Sequence, residues 1–472
     1  LILTLAWRSL AAHPVRSAVL ACGFGLGVSV MASLLGVGEV ILAQARSPAL
    51  SGGGDVVVAG AAGKVTSARF ILSNVLGAPP FRARVAAASP RLRTALYLVR
   101  EKRVVPIRAR GGIPSLEREV GDPETKDVAA WIDSPADAAW ARTDASAVLR
   151  SLDRFHPVPD VPSRARSWAE WLYFNGSAGD TRFYLTFMVG PKRPNGRRAA
   201  GVRLQLDRGG ARRSYGEAAE VDEQQVLAFA PELTIGGSRV RLEGLRYRVS
   251  LDLPLEASSP AAGKGQRVTG EVLLEAVPGR ALPPLTIRGA SGWLSGYVVP
   301  VMSGALGGFL AEGGDRVSLD GGSGYHDHNW GFWEGVSWQW GQVQHGGLSV
   351  VYGRVHPPAD AADPARVPGF LAALGPGGPL GHSSDVSIQE TSDPGTGLPR
   401  KVLVRARGES LDLTLDLDVE DAIATRMPQG FFGGGMDFLQ LRARYRVVGQ
   451  AGGRRLDFEA RGTAETFRGA KP

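Results

Sequence analysis

The densest chemistry in the sequence is Gly324-Tyr325-His326-Asp327-His328-Asn329-Trp330-Gly331, continued by Phe332-Trp333-Glu334-Gly335-Val336-Ser337-Trp338-Gln339-Trp340-Gly341-Gln342. Histidine and carboxylate side chains move protons. Tryptophan and tyrosine offer broad apolar rings whose faces attract positive charge. The mixture suits a site that handles an apolar molecule through one polar step. Adding water to an isolated alkene is such a step: a proton donor generates a tertiary cation, and water captures it. Asp327 is the candidate acid, because burial among aromatic rings raises a carboxyl pKa and keeps the group protonated. His326 and His328 are candidates for replenishing its proton or orienting water. Tyr325, Trp330, Trp333, Trp338 and Trp340 are candidate rings for the cation. Asn329, Trp171 and Tyr173 complete the set of candidate ligand contacts.

Strand geometry constrains this reading. In an extended segment His326 and His328 share one face and Asp327 points to the other. All three line one pocket only if the strand is bulged or turned. Two further readings stay open. His-Asp-His-Asn could be a buried hydrogen-bond network locking two domains together, with the tryptophans as core. Alternatively, His326 and His328 with His345 or Glu334 offer zinc-type ligands. The adjacent Asp and Asn suit plain hydrogen bonding equally well, so no metal or other cofactor is assigned. His156, His345 and His356 read as structural.

The elements that must position these residues are mostly strands. The chain has 472 residues, 63 of them glycine and 31 proline, without a collagen-like period. That length predicts two or three domains, and the turn residues predict a β-rich body. Alternation is clearest from Leu411 to Glu420, where Leu411, Leu413, Leu415, Leu417 and Val419 face one way and charged or polar residues the other. Leu245 to Leu253 and Val202 to Leu206 repeat the pattern. A period of two means one buried and one wet face, and many such strands joined by Gly, Pro and Asp turns predict an antiparallel sandwich or barrel. The net charge of +8 is spread as scattered arginines. Without a concentrated basic face, nucleic acid is not an expected partner. The lone cysteine, Cys22, excludes an intrachain disulfide.

From Ser17 to Gly38 no residue is charged. About 22 residues suffice to cross a hydrocarbon core of ~30 Å. Arg8 and Arg16 precede the span, which places the bulk of the chain on the extracytoplasmic side. An uncleaved anchor at 1–45 is expected; Ala43-Gln44-Ala45 offers the competing reading of a cleaved signal peptide. Residues 46–162 read as a small extracytoplasmic α/β region. It has a strand near Asp55, a short helix over Ser67 to Leu76, strands at Leu96 to Val99 and Val104 to Ile107, and a proline-rich linker at Pro157 to Pro162. Two β domains follow, at 163–315 and 316–472, with the His/Trp motif near their junction.

Two resemblances bear on these segments. Leu5-Ala6-Trp7-Arg8-Ser9-Leu10, Pro14-Val15-Arg16-Ser17, the apolar span and Gly54-Asp55-Val56-Val57-Val58 resemble the start of FtsX/MacB-type ABC transporter permeases. The sequence departs from that pattern in having no second long apolar run. Trp168-Ala169-Glu170-Trp171-Leu172-Tyr173-Phe174-Asn175-Gly176, Phe183 to Phe187 and the Gly324 to Gly331 run resemble the AttH-like family, which includes carotenoid 1,2-hydratase (hydroxyneurosporene synthase). Trp338 to Gln342, Asp437 to Gln440 and Glu465-Thr466-Phe467 continue that likeness, which spans about 165–470. It implies a mainly β chain with two tandem lipocalin-like antiparallel barrels, after one transmembrane helix and a small α/β region. It also implies a hydrophobic, isoprenoid- or lipid-like small molecule as ligand. The permease likeness implies ABC transporter subunits and the membrane as partners. An enzyme hydrating or cyclising such a molecule, and a non-enzymatic carrier or adaptor beside a transporter, both follow from these expectations.

Overall fold

The leucine–aspartate alternation that marks the C-terminal third recurs in three dimensions as strands with one buried edge of side chains. In Leu411–Met427 the side chains of Leu411, Leu413, Leu415 and Leu417 are buried, while Asp412 and Asp416 are exposed. The computed structural model describes residues 2–46, 54–59, 65, 67–76, 83–100, 103–125, 127–141, 144–229, 231–256, 266–427 and 436–468. The chain divides into two compact units, 1–65 with 87–142, and 66–86 with 143–472.

The first unit holds two helices, Ile2–Ala12 and Pro14–Arg46. The stretch Pro14–Ser33 is the one helical segment among the described residues that is long and apolar enough to cross a membrane. A hairpin of β1 (Arg91–Arg100) and β2 (Arg103–Gly112) follows. Its base is held by Arg91 and Arg110, which both pair with the buried carboxylates of Glu117 and Asp122.

The second unit is two sheets, each curled nearly into a barrel. The first contains β3 (Trp168–Ala178), β4 (Thr181–Lys192), β5 (Arg197–Arg208), β6 (Ala211–Asp222), β7 (Leu233–Ile235), β8 (Ser238–Glu243), β9 (Arg246–Pro254), β10 (Arg267–Glu275), β11 (Leu282–Arg288), β12 (Leu294–Glu312), β13 (Asp315–Ser318) and β14 (Ser323–Phe332). Its main path runs β6-β5-β4-β3-β14-β12-β10-β9-β8-β7. The Glu256 N–H donates to Ser214 O at 2.8 Å, and a Tyr215–Leu255 bridge joins the β6 end to the end of β9. The second contains β15 (Ser337–His345), β16 (Leu348–His356), β17 (Phe370–Gly375), β18 (Gly378–Ser383), β19 (Asp385–Ser392), β20 (Pro399–Gly408), β21 (Leu411–Met427), β22 (Met436–Ala451) and β23 (Arg454–Arg468). Its order is β18-β17-β16-β15-β23-β22-β21-β20-β19, all antiparallel.

Three apolar clusters result. One fills the first barrel around Leu172, Phe174 and Leu185. One fills the second around Val404, Leu415 and Tyr445. The third lies between the barrels and is built largely of aromatic rings.

Two expected boundaries shift. The two sheets part between Phe332 and Ser337, not at 315, because β14 pairs along its whole length with β3. The proline-rich stretch Pro157 to Pro162 is no free linker, since Val158 and Val161 pack against the aromatic cluster. The helix Ala145–Leu152 before it also belongs to the barrel unit, with Val148, Leu149 and Leu152 buried. The short helical segment over Ala68 to Val75 joins the same unit through buried Phe70.

Leu415 is fully buried, so Leu415→Ala should cost about 2–5 kcal/mol, as deleting core methyl groups does. Asp416→Ala, one residue on and facing water, should leave the urea midpoint nearly unchanged. Equal midpoints for the two variants would contradict the assigned facing.

Candidate functional site

Strand β14 is buried on both faces, which is unusual for an antiparallel strand carrying so many polar groups. The alternation expected from the sequence holds without a turn. His326 and His328 point one way, and Tyr325, Asp327 and Asn329 the other. Pairing with β3 sets the rows on the outward face: Tyr325 opposite Asn175, Asp327 opposite Tyr173, Asn329 opposite Trp171. The second barrel presents matching rows from β15 and β23: Gln342 opposite Thr463, Trp340 opposite Glu465, Trp338 opposite Phe467.

The middle row holds the acids. Asp327 is 2 % exposed and accepts from Asn329 Nδ2 at 2.7 Å. Burial first, and then the charge of Glu465, pushes the Asp327 carboxyl well above the usual carboxylate range. Burial also raises Glu465, to about 7, against the opposing pull of the Tyr173 hydroxyl and the Trp338 indole N–H that face it. Two such carboxyls in one apolar layer hold protons that water would strip from either alone. Tyr173 and Tyr325 are raised as well, by burial and then by these neighbouring charges. The Trp340 indole donates to Tyr325 Oη at 2.9 Å. Gln342 Oε1 is a buried polar atom without a hydrogen-bond partner among the described residues.

Aromatic rings enclose this row. Trp338 stacks on Phe467 at 3.8 Å between ring centroids and lies 5.7 Å from Trp171. Trp333 packs on Trp171 at 4.6 Å, and its N–H donates to Ala169 O at 2.8 Å. Trp340 meets Tyr297 and Phe370 edge-on, each at 5.1 Å. A recess of about 110 Å³ opens beside the first row, between Asn175, Tyr184, Gln342 and Thr463.

The other face of β14 carries a different structure. His328 Nδ1 meets Asp153 Oδ1 at 2.8 Å, and its Nε2 meets Glu170 Oε1 at 2.9 Å. His326 Nε2 meets Asp153 Oδ2 at 3.0 Å, and its Nδ1 meets the Tyr173 carbonyl at 2.9 Å. Tyr247 Oη donates to Asp153 at 2.8 Å, and His156 meets Glu170 at 2.7 Å. Asp153, Glu170, His326 and His328 are all fully buried. Burial opposes charge on Asp153, Glu170 and His328, but the contacts among these groups outweigh it. They hold Asp153 and Glu170 below the carboxylate range, while hydrogen bonds to both carboxylates carry His328 up to about 9. The donor atoms of His156, Glu170 and His328 lie within 4.8 Å of one another, the spacing of a possible metal set. Here they bond directly to each other, and buried Arg198 adds its positive charge beside Glu170. The arrangement is that of an internally satisfied ion-pair network.

The expected constellation is therefore split. Asp327, Tyr325, Asn329, Trp171, Tyr173, Trp333, Trp338 and Trp340 share the layer between the barrels. His326 and His328 face the first barrel and cannot pass protons to Asp327 directly. Trp330 belongs to the same aromatic cluster and also stacks on His156 at 4.2 Å. His345 stacks on Phe458, and Glu334 is exposed, so neither joins the histidine pair. His156, read as structural, belongs to the network through Glu170. Glu465 and Asp153 went unassigned in the sequence, since each meets the motif only through tertiary contact.

Structures of similar fold have been solved. A crystal structure described as a candidate AttH from Nitrosomonas europaea matches with 14% identity and a TM-score of 0.41, covering 66% of this chain and 99% of that one. CghA matches with 13% identity and a TM-score of 0.41, covering 64% of this chain and 88% of its own. A second CghA crystal structure, with Sch210972, gives 13%, 0.39, 67% and 93%. No protein-family model matches the sequence, and no curated protein does. At these values the likeness bears on neither ligand nor reaction.

The shifts fix a pH profile. Glu465 rises from 4.5 to about 7 and His328 from 6.5 to about 9, so the folded state binds both protons more tightly. Their stabilisation is complete below the unfolded values and is lost as pH rises through the folded ones. Asp153 and Glu170 act oppositely, losing theirs as pH falls below the carboxylate range. Urea midpoints should peak in mildly acid solution and decline towards pH 9. Asp327, raised well above the carboxylate range, adds to the same decline, so Glu465→Gln should make the decline between 4.5 and 7 shallower and leave the part above 7 in place. A profile flat from pH 5 to 9 would count against both assignments.

Proposed function

We propose that the layer between the barrels binds a hydrophobic, isoprenoid- or lipid-like molecule and protonates one of its carbon–carbon double bonds. The observation that carries this is the acid pair Asp327 and Glu465, raised by burial within a ring of tryptophans and tyrosines. Asp327 delivers its proton to the less substituted alkene carbon, and the π electrons form the new C–H bond. The tertiary cation left behind faces Trp338, Trp340 and Tyr325, whose ring quadrupoles favour it. Water adds to the cation, and its surplus proton passes to the carboxylate pair, which restores the acid. The net change is addition of H₂O; attack by a second double bond in place of water closes a ring, and the cyclic cation then loses a proton to the carboxylate pair, which gives an isomer and restores the acid. Glu465 suits the accepting role because its value lies near neutrality. The apolar helix Pro14–Ser33 fits a membrane anchor, and the permease-like start fits work beside an ABC transporter.

The rival reading is a carrier, which needs the aromatic layer and not the acids. Incubation of the purified chain with a panel of isoprenoid alkenes in ¹⁸O-water separates the two. The catalytic reading predicts a product heavier by one labelled water, or a cyclised isomer. Asp327→Asn should cut its formation at least 100-fold, the usual weight of a general acid, while ligand-induced quenching of tryptophan fluorescence persists. Binding without any product, or product undiminished in Asp327→Asn, leaves the carrier.

A further inference from the structure

The recess beside the acid row is polar where the rest of the layer is apolar. Asn175, Ser177, Arg182, Gln342, Gln344 and Thr463 contribute to its wall. Two features there are unspent. Gln342 is 8 % exposed; its Nε2 donates to Asn175 Oδ1 at 3.2 Å and Thr463 Oγ1 at 3.0 Å, yet its Oε1 accepts nothing among the described residues. A buried amide oxygen left bare is unfavourable, and an incoming O–H or N–H would relieve it. Arg182, half-buried on β4, is close enough to Tyr184 for its charge to act on the phenol. No carboxylate pairs with it among the described residues, whereas the recess's other arginine, Arg461, pairs with Glu420 at 3.2 Å.

Strand register fixes how this recess relates to the acids. Thr463 and Glu465 are two residues apart on β23, as are Gln342 and Trp340 on β15, and Asn175 and Tyr173 on β3. A step of two residues is about 7 Å along a strand. The recess therefore lies one row from Asp327 and Glu465, on the same faces. Its 110 Å³ holds a polar end group but no isoprenoid chain, which needs several hundred.

From this we infer that the ligand is amphipathic, an apolar chain ending in a carboxylate-type group, with Arg182 and Gln342 seating that group while the chain lies along the aromatic row. The inference rests on the ligand-binding part of the proposed function and is independent of its protonation step. It makes Arg182 the specificity-determining residue: the anion takes the guanidinium, and bridging water or a neighbouring hydroxyl of the ligand satisfies Gln342 Oε1.

The test is tryptophan-fluorescence titration of the full chain in maltoside micelles with farnesoic acid, farnesol and methyl farnesoate. The acid should bind at least tenfold more tightly than the ester. Arg182→Ala should remove that preference while leaving affinity for the ester within about twofold, Arg182→Lys should restore part of it, and Gln342→Glu should reverse it by repulsion. Equal affinity for acid and ester, a preference that survives Arg182→Ala, or failure of all three probes to bind would each overturn the inference. Asp327→Asn tells the two proposals apart. It should leave the acid-over-ester preference intact, so a preference without turnover sinks only the protonation step. Turnover without a preference sinks only the head-group site.

Discussion

The structure turns on one strand that is buried on both sides. β14 has no wet face on which to leave its polar side chains, so each face has had to find its own electrostatic solution. On the first-barrel side the solution is charge pairing: two carboxylates and two imidazoles meet at hydrogen-bonding distance and leave no donor idle. On the other side no cation pairs with the acids among the described residues. The carboxyls there escape desolvation by keeping protons instead. A single peptide segment thus separates an ionised network from a protonated one, with only the thickness of a β-sheet between them.

That division gives the ion-pair network a role in the site without placing it there. Asp153 tethers the end of the helix Ala145–Leu152 to both histidines and to Tyr247 on β9, while Glu170 ties β3 to the loop at His156. These bonds fix β14 in register and in depth. Register in turn decides which residues meet the second barrel, since a slip of one residue would exchange the histidines for Asp327. The histidines are positioning residues, and the lock imagined for them works between β14 and the first barrel instead of between barrels.

Much of this was legible in the sequence. The strands were, because leucine and aspartate alternate from Leu411 to Leu417 and a period of two has one physical meaning. The partition of the motif was legible for the same reason: Asp327 sits between His326 and His328 on an extended segment. The direction of the Asp327 shift was too, from its tryptophan-rich context. What stayed hidden depends on tertiary pairing. Glu465 lies 138 residues from Asp327 in sequence (465 against 327) and meets it only because β23 pairs with β15 and faces β14. Asp153 sits in a stretch with no motif, at the end of a short helix. The even-numbered position of Trp330 puts it in register with the histidines, where its ring stacks on His156. The domain boundary shifted since no local signal reports that Ser323–Phe332 completes the first sheet instead of starting the second.

The central claim is that the two faces of β14 carry opposite protonation states, with Asp327 neutral while Asp153 and Glu170 are ionised. Infrared difference spectroscopy of the purified chain at neutral pH, wild type minus Asp327→Asn, reads this directly. The account predicts loss of a carboxylic-acid C=O band in Asp327→Asn, and no such band lost in Asp153→Asn or Glu170→Gln. Loss of an ionised-carboxylate band in Asp327→Asn instead would contradict it.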